Sequence, residues 1–160
     1  MPVEVRAAAK ADLDALVALN QVIQGVHAAL YPGDFNAEVD VAAARDRFAS
    51  LLTEARNDLL VATLDGDVVG YVWIEHEVRP PSPFYNRRDR VYVHHVGVAP
   101  SARRHGVAAA LFREVERRAR AAGIADLYLE SWAANDEAHR FFAAQGFARL
   151  KLMFRKRLSR

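Results

Sequence analysis

Between Val91 and Leu111 the hydrophobic period of the chain changes, and the point of change is basic. Val91 to Val98 is a β-branched and aromatic run that suits a buried strand. Pro100 has no N–H to donate and stops the ladder. From Val107 onward the apolar spacing is helical. Arg103-Arg104-His105-Gly106 is therefore the bend that turns a strand into a helix. The first turn of a helix carries unpaired N–H groups and the positive end of the macrodipole. Gly106 lets a ligand approach the backbone, and two arginines stand beside it. Such a bend is a site for a phosphate or pyrophosphate. Two familiar phosphate loops are excluded, because the chain has neither Gly-Lys-Ser/Thr nor G-x-G-x-x-G.

The flanking elements follow in order. Val3 to Arg6 is a short strand, and Asp12 caps a helix whose apolar positions run from Leu13 to Leu30 and end at Pro32-Gly33. Gln21, Gln24 and His27 on that helix are candidates to face a pocket. Asn36 to Arg56 is a second helix. Leu59 to Leu64 and Val68 to Val78 are strands joined by an Asp65-Gly66 turn. In the second of them Tyr71, Trp73, Glu75 and Glu77 share one face, and Val72, Ile74 and His76 the other. A proline-rich basic loop, 79–90, is a candidate acceptor-binding loop. Val107, Leu111, Val115, Ala119 and Ala122 form the seam of the next helix, with Glu114–Arg118 and Glu116–Arg120 as outer i,i+4 pairs and Gly123 as its cap. Asp126 to Ser131 is a strand, Asn135 opens a helix over Asp136 to Gln145, and Phe147 with the run Leu150 to Leu158 is a last strand. The expected fold class is α/β, in the order β-α-α-β-β-β-α-β-α-β. It has a mixed, partly antiparallel sheet of about six or seven strands flanked by four helices, in one domain over 1–160.

Composition removes several function classes. The net charge is +2 and the basic residues are interleaved with acids, so no nucleic-acid partner is expected. No apolar run reaches the ~18 residues of a membrane span, and no signal-peptide core opens the chain. No membrane partner is expected, and with no cysteine the expected setting is the reducing cytoplasm. No metal site is expected either. His94, His95, His76 and Glu75 lack ligand spacing, and adjacent strand histidines point to opposite faces.

Arg103-x-x-Gly106-x-Ala108, following a V-x-V strand and a proline, resembles the pyrophosphate loop of the GNAT N-acetyltransferases. Downstream, Asn135-x-x-Ala138-x-x-Phe141-Phe142-x-x-x-Gly146-Phe147 is similar to that family's N-x-x-A-x-x-F-Y-x-x-x-G-F. The two motifs stand in the family's order. The resemblance implies the GNAT fold over essentially the whole chain, and transfer of an acetyl group from acetyl-CoA to an amine by direct attack on the thioester. It implies that Val96, Gly97 and Val98 run beside the pantetheine arm, with an N–H near Val98 holding the thioester oxygen. It implies that Arg103, Arg104, His105, Gly106, Val107 and Ala108 hold the pyrophosphate, that Asn135 bonds the arm, and that Phe142 packs near it.

Phe142 departs from the family's usual tyrosine, which serves as general acid for the departing thiolate. Tyr92, Tyr128 and water are alternatives. His94 is the nominated general base, with Glu75 or Glu77 acting through water as rivals. The resemblance implies a small-molecule or peptide amine as acceptor. Glu75 and Glu77 favour a cationic one, and Arg87, Arg88 and Arg90 an acidic one. Whether the acyl group is acetyl or longer stays open, as does a homodimer through the C-terminal or an edge strand. The alternative to an enzyme is a non-catalytic acyl-CoA-binding or sensing module on the same fold.

Overall fold

The computed structural model describes residues 2–159. The chain divides into two compact units, Met1–Glu130 and Ser131–Arg160.

In the first unit the strands are β1 (Glu4–Ala7), β2 (Asn57–Leu64), β3 (Asp67–Arg79), β4 (Arg88–Val98) and β5 (Leu127–Leu129), in spatial order 1-2-3-4-5. All neighbours are antiparallel except β4 and β5, which are parallel. The Asp65-Gly66 turn has φ of 52° and 89° at its two central residues, as a two-residue hairpin requires. The β3–β4 hairpin is longer than the sequence suggests. Its ladder reaches Arg79 opposite Arg88, because Glu77 and Arg90 face each other across it as an ion pair.

Helices α1 (Leu13–Leu30) and α2 (Val41–Leu51) cover one face of the sheet. Leu13, Leu16, Val17, Leu19, Phe48 and Leu51 join Leu59, Val61 and Tyr71 in one buried cluster. α2 is shorter than the expected 36–56. Asp40 accepts the Ala43 N–H at 3.0 Å and starts the helix there. Asp12 does not cap α1 with its side chain; it pairs with Arg6 at 2.7 Å and accepts the Ala9 N–H at 2.8 Å. Among the described residues, Lys10–Leu30 is the only helical stretch long and apolar enough to cross a membrane. Its buried apolar residues, Leu13, Leu16, Val17 and Leu19, all belong to the core cluster.

Helix α3 (Val107–Ala121) covers the other face. Val107, Leu111, Val115 and Ala119 are buried as expected, Ala110 and Phe112 join them, and Ala122 is exposed. A Cβ at Gly70 would stand 2.7 Å from Val107 Cγ1, so this glycine seats the first turn of α3 against the sheet.

In the second unit, α4 (Asp136–Ala144) is capped by Asn135, whose Oδ1 accepts the Ala138 N–H at 3.2 Å. The expected strand over Leu150 to Leu158 is not formed among the described residues, so the sheet has five strands rather than six or seven. Leu150, Leu152, Met153, Phe154 and Leu158 are all exposed. Alternation marks the two faces a strand would have; only a ladder partner makes it one.

Candidate active site

β4 carries a bulge at its centre. Trp73 stands opposite His95 and Ile74 opposite Val93, so His94 is an extra residue. The bulge has two consequences.

The first concerns side chains. His94 and His95 lie on the same face of the sheet, the one covered by α1 and α2, and this corrects the expectation that adjacent histidines diverge. Both touch Trp73, with His94 stacked at 4.3 Å between ring centroids and His95 edge-on at 5.1 Å. Trp73 is itself held by its indole N–H, which donates to Asn57 Oδ1 at 2.7 Å, and by the Arg47 guanidinium 5.1 Å from its ring. His76 lies on the opposite face, 3.3 Å from Asp58, which Arg118 of α3 also approaches. Among the described residues no group of three or more His, Cys, Asp or Glu could hold a metal ion.

The second consequence concerns the backbone. Ala99 N–H donates to Val69 O at 2.8 Å, and in an antiparallel ladder bonded pairs alternate. Gly97 therefore bonds to Tyr71, and the N–H and C=O groups of Val96 and Val98 turn to the other side of β4. There β5 pairs only with Val91, Tyr92 and Val93. The polar groups of Val96 and Val98 thus face a stretch without a ladder partner among the described residues.

His94 Nε2 lies 2.7 Å from Glu75 Oε2, and each side chain is a little over one-quarter exposed. The carboxylate can only accept here, so the imidazole places its proton on Nε2 and leaves the Nδ1 lone pair open. Nδ1 has no partner among the described residues. Among them the one buried side-chain nitrogen or oxygen left unpaired is Arg88 Nε. Two candidate bases thus combine into one dyad, Glu75 orienting His94. Glu77 drops out as a rival, because the Arg90 Nε–H donates to its Oε2 at 2.5 Å.

Arg90 is buried and also stands over the rings of Tyr92 and Tyr128, at 5.2 and 4.6 Å. Arg87 pairs with Asp89, and Arg88 donates to the Tyr128 hydroxyl at 3.0 Å. Arg87, Arg88 and Arg90 are therefore engaged locally, and they no longer argue for an acidic acceptor. Tyr92 lies 4.8 Å from the His94 ring. Burial, then the nearby Glu130, raises its phenol pKa, so it keeps its proton at neutral pH.

After Pro100 a 3-10 turn leads into the bend. Arg104 and Gly106 both have positive φ, 64° and 74°, and His105 Nδ1–H donates to Arg103 O at 2.9 Å. The first intrahelical bond runs from Ala110 N–H to Gly106 O, which leaves the N–H groups of the preceding turn directed outward. A Cβ at Gly106 would meet nothing within 4 Å, so the backbone there is not crowded. Arg103 and Arg104 are exposed beside it.

Residues 26–147 match the model of the acetyltransferase (GNAT) family. The chain belongs to that family. The GNAT fold is shared with solved structures at low identity. A tetramutant of BH1408 protein from Bacillus halodurans is 19% identical with a TM-score of 0.93, over 97% of this chain and 99% of that one. AAC(6')-Iy in complex with a CoA-S-monomethyl-acetylneamine bisubstrate analog is 21% identical with a TM-score of 0.73, over 99% and 100%. The aminoglycoside 6'-N-acetyltransferase AAC(6')-Ih from Acinetobacter baumannii is 19% identical with a TM-score of 0.70, again over 99% and 100%. No curated protein sequence matches this chain significantly.

Of the residues the sequence nominates in this GNAT domain, the first unit brings His94 and Glu75 together. It puts Val96 to Val98 on an edge without a ladder partner among the described residues and Arg103 to Ala108 around the N-terminal end of α3. Asn135 and Phe142 lie in the second unit, where Asn135 caps α4 and Phe142 packs edge-on against Phe141 and Phe147. Gln21 lines a cleft of about 340 Å³ with Ala37, Glu38 and Val39, and no catalytic candidate shares it. Gln24 instead donates to Asn36 O at 2.8 Å, and His27 packs against Phe35 with its pKa lowered by burial. Sequence reasoning missed the bulge and the support of His95. No residue type marks a bulge, and the run V-H-H-V reads as plain alternation.

Proposed function

We propose that this chain is an acetyl-CoA-dependent N-acetyltransferase acting in the cytoplasm on a primary amine of a small molecule or peptide. The observation that carries the reading is the Glu75–His94 dyad across β3 and β4, beside β4 residues whose backbone groups have no ladder partner among the described residues. Acetyl-CoA fits the chain's own donors. The N-terminus of α3, with Arg103 and Arg104, suits the pyrophosphate, and the outward groups of Val96 and Val98 suit the amides of the pantetheine arm.

His94 Nδ1 takes a proton from the ammonium form of the acceptor, directly or through one water, and Glu75 stabilises the imidazolium that results. The amine nitrogen then forms its bond to the thioester carbon. The N–H of Val98 or Val96 meets the charge growing on the carbonyl oxygen. The carbon–sulfur bond breaks, and the thiolate, a good leaving group, takes its proton from Tyr92 or water. Phe142 has no proton to give. Phe142 alone would favour a non-catalytic acyl-CoA sensor, and the Glu75–His94 dyad favours the enzyme.

The aminoglycoside acetyltransferases among the similar structures point to polyhydroxylated amines as first acceptors to try. Calorimetry with acetyl-CoA at low salt is expected to show binding. A thiol-release survey over aminoglycosides, polyamines, amino acids and peptides is expected to show turnover with at least one class. Binding without release on any amine would support the sensor instead, and no binding would end both readings.

A further inference from the structure

His95, the neighbour of the base, sits in a hydrogen-bond chain that fixes which of its nitrogens carries the proton. Asn20 Nδ2 donates to the Tyr71 hydroxyl at 3.3 Å, and the same hydroxyl lies 3.3 Å from His95 Nδ1. Tyr71 is fully buried, and burial raises its pKa, so the phenol keeps its hydrogen. With Asn20 as donor, the phenol hydrogen has His95 Nδ1 as its acceptor. The reverse assignment would leave a buried O–H unsatisfied, with its desolvation uncompensated. Nδ1 is therefore a lone pair.

The ring is neutral at physiological pH, since burial, then the neighbouring His94 and His27, pushes its pKa down to about 4. The proton is on Nε2. Among the described residues nothing partners Nε2, and the residue is only partly buried. Two adjacent histidines at one tryptophan thus present opposite chemistry, a lone pair at His94 Nδ1 and an N–H at His95 Nε2.

We propose that His95 is a specificity-determining residue that donates its Nε2–H to an oxygen of the acceptor, while His94 Nδ1 receives the amine. The acceptor class is then an amine with a hydroxyl or carbonyl oxygen close to its nitrogen, in preference to a plain alkylamine or polyamine. This deepens the acetyl-transfer reading and rests on it only for the role of His94. Asn20 and Tyr71 are positioning residues, acting through the tautomer.

Two-bond proton–nitrogen correlation spectra of the full chain with labelled histidine read the tautomer directly. Wild type at pH 7 is expected to show His95 protonated on Nε2 alone. Tyr71→Phe, and independently Asn20→Ala, are expected to mix the two tautomers. Ethanolamine and n-propylamine, similar in size with and without the oxygen, serve as probes in the presence of CoA. Ethanolamine is expected to move the His95 Nε2 resonance and n-propylamine to leave it in place, and Tyr71→Phe should reduce that difference at least threefold. An Nδ1–H or charged His95 at pH 7, an equal response to the two probes, or no response to ethanolamine would overturn the assignment. Absence of thiol release with every amine, beside the expected spectra, would instead refute acetyl transfer and leave the tautomer standing.

Discussion

The two halves of β4 belong to one strand and do different work. Before the bulge, residues 88–93 are paired with β3 on one side and, at 91–93, with β5 on the other. There Arg90 pairs with Glu77, and Asp89 with Arg87 just before the strand. After it, Val96 and Val98 have a ladder neighbour only in β3 among the described residues, and Arg103 and Arg104 are exposed at the bend beyond them. His94 is the boundary. One inserted residue reverses which amides face outward and puts both histidines on the α1/α2 face. Apart from the buried Arg88 Nε, the scaffold half is paired locally, and the backbone groups without a ladder partner among the described residues are those beside the dyad.

Substitutions in the two halves should therefore fail differently. The largest effect is expected from Arg104→Glu combined with Gly106→Val, which reverses a charge and puts a branched residue at a φ of 74°. Acetyl-CoA affinity should fall by about 100-fold or more in calorimetry, with the far-UV circular dichroism unchanged. His94→Ala should lower kcat/KM by roughly 10²- to 10⁴-fold while acetyl-CoA still binds, and Glu75→Gln should do less.

In the scaffold half the loss should be one of stability. Arg90→Met leaves Glu77 facing a largely buried site without its cation, and a destabilisation of about 2–3 kcal/mol is expected in urea titration, discounted because Glu77 is partly wetted. Glu77→Gln added to Arg90→Met should recover part of it.

A smaller effect comes from His95. Its folded pKa of about 4 lies below the ordinary histidine value of 6.5, so between those limits the unfolded chain binds more protons. Stability should therefore decline as pH falls from about 6.5 to 4, and His95→Gln should flatten that part of the profile.

Most of this architecture is legible in the sequence because period and punctuation carry it. Asp65-Gly66 sets the β2–β3 hairpin, Gly123 caps α3 with a φ of 71°, and the Arg103–Ala108 bend is visible from composition alone. What stays hidden depends on partners distant in sequence. Arg90 reads as part of a basic loop until Glu77 is seen across the ladder. The Asn20–Tyr71–His95 chain joins residues 51 and 24 positions apart. Leu150 to Leu158 has the alternation of a strand, yet alternation does not supply the neighbour that makes a ladder.

The bulge is the central claim, and amide hydrogen exchange tests it residue by residue. In the free protein Gly97 N–H should exchange slowly, held by Tyr71, while Val96 and Val98 N–H exchange rapidly. Adding acetyl-CoA should slow Val98, Val96 or both and leave Gly97 as it was. A protected Val98 beside a fast Gly97 in the free protein, or no change at either valine at saturating acetyl-CoA, would contradict the account.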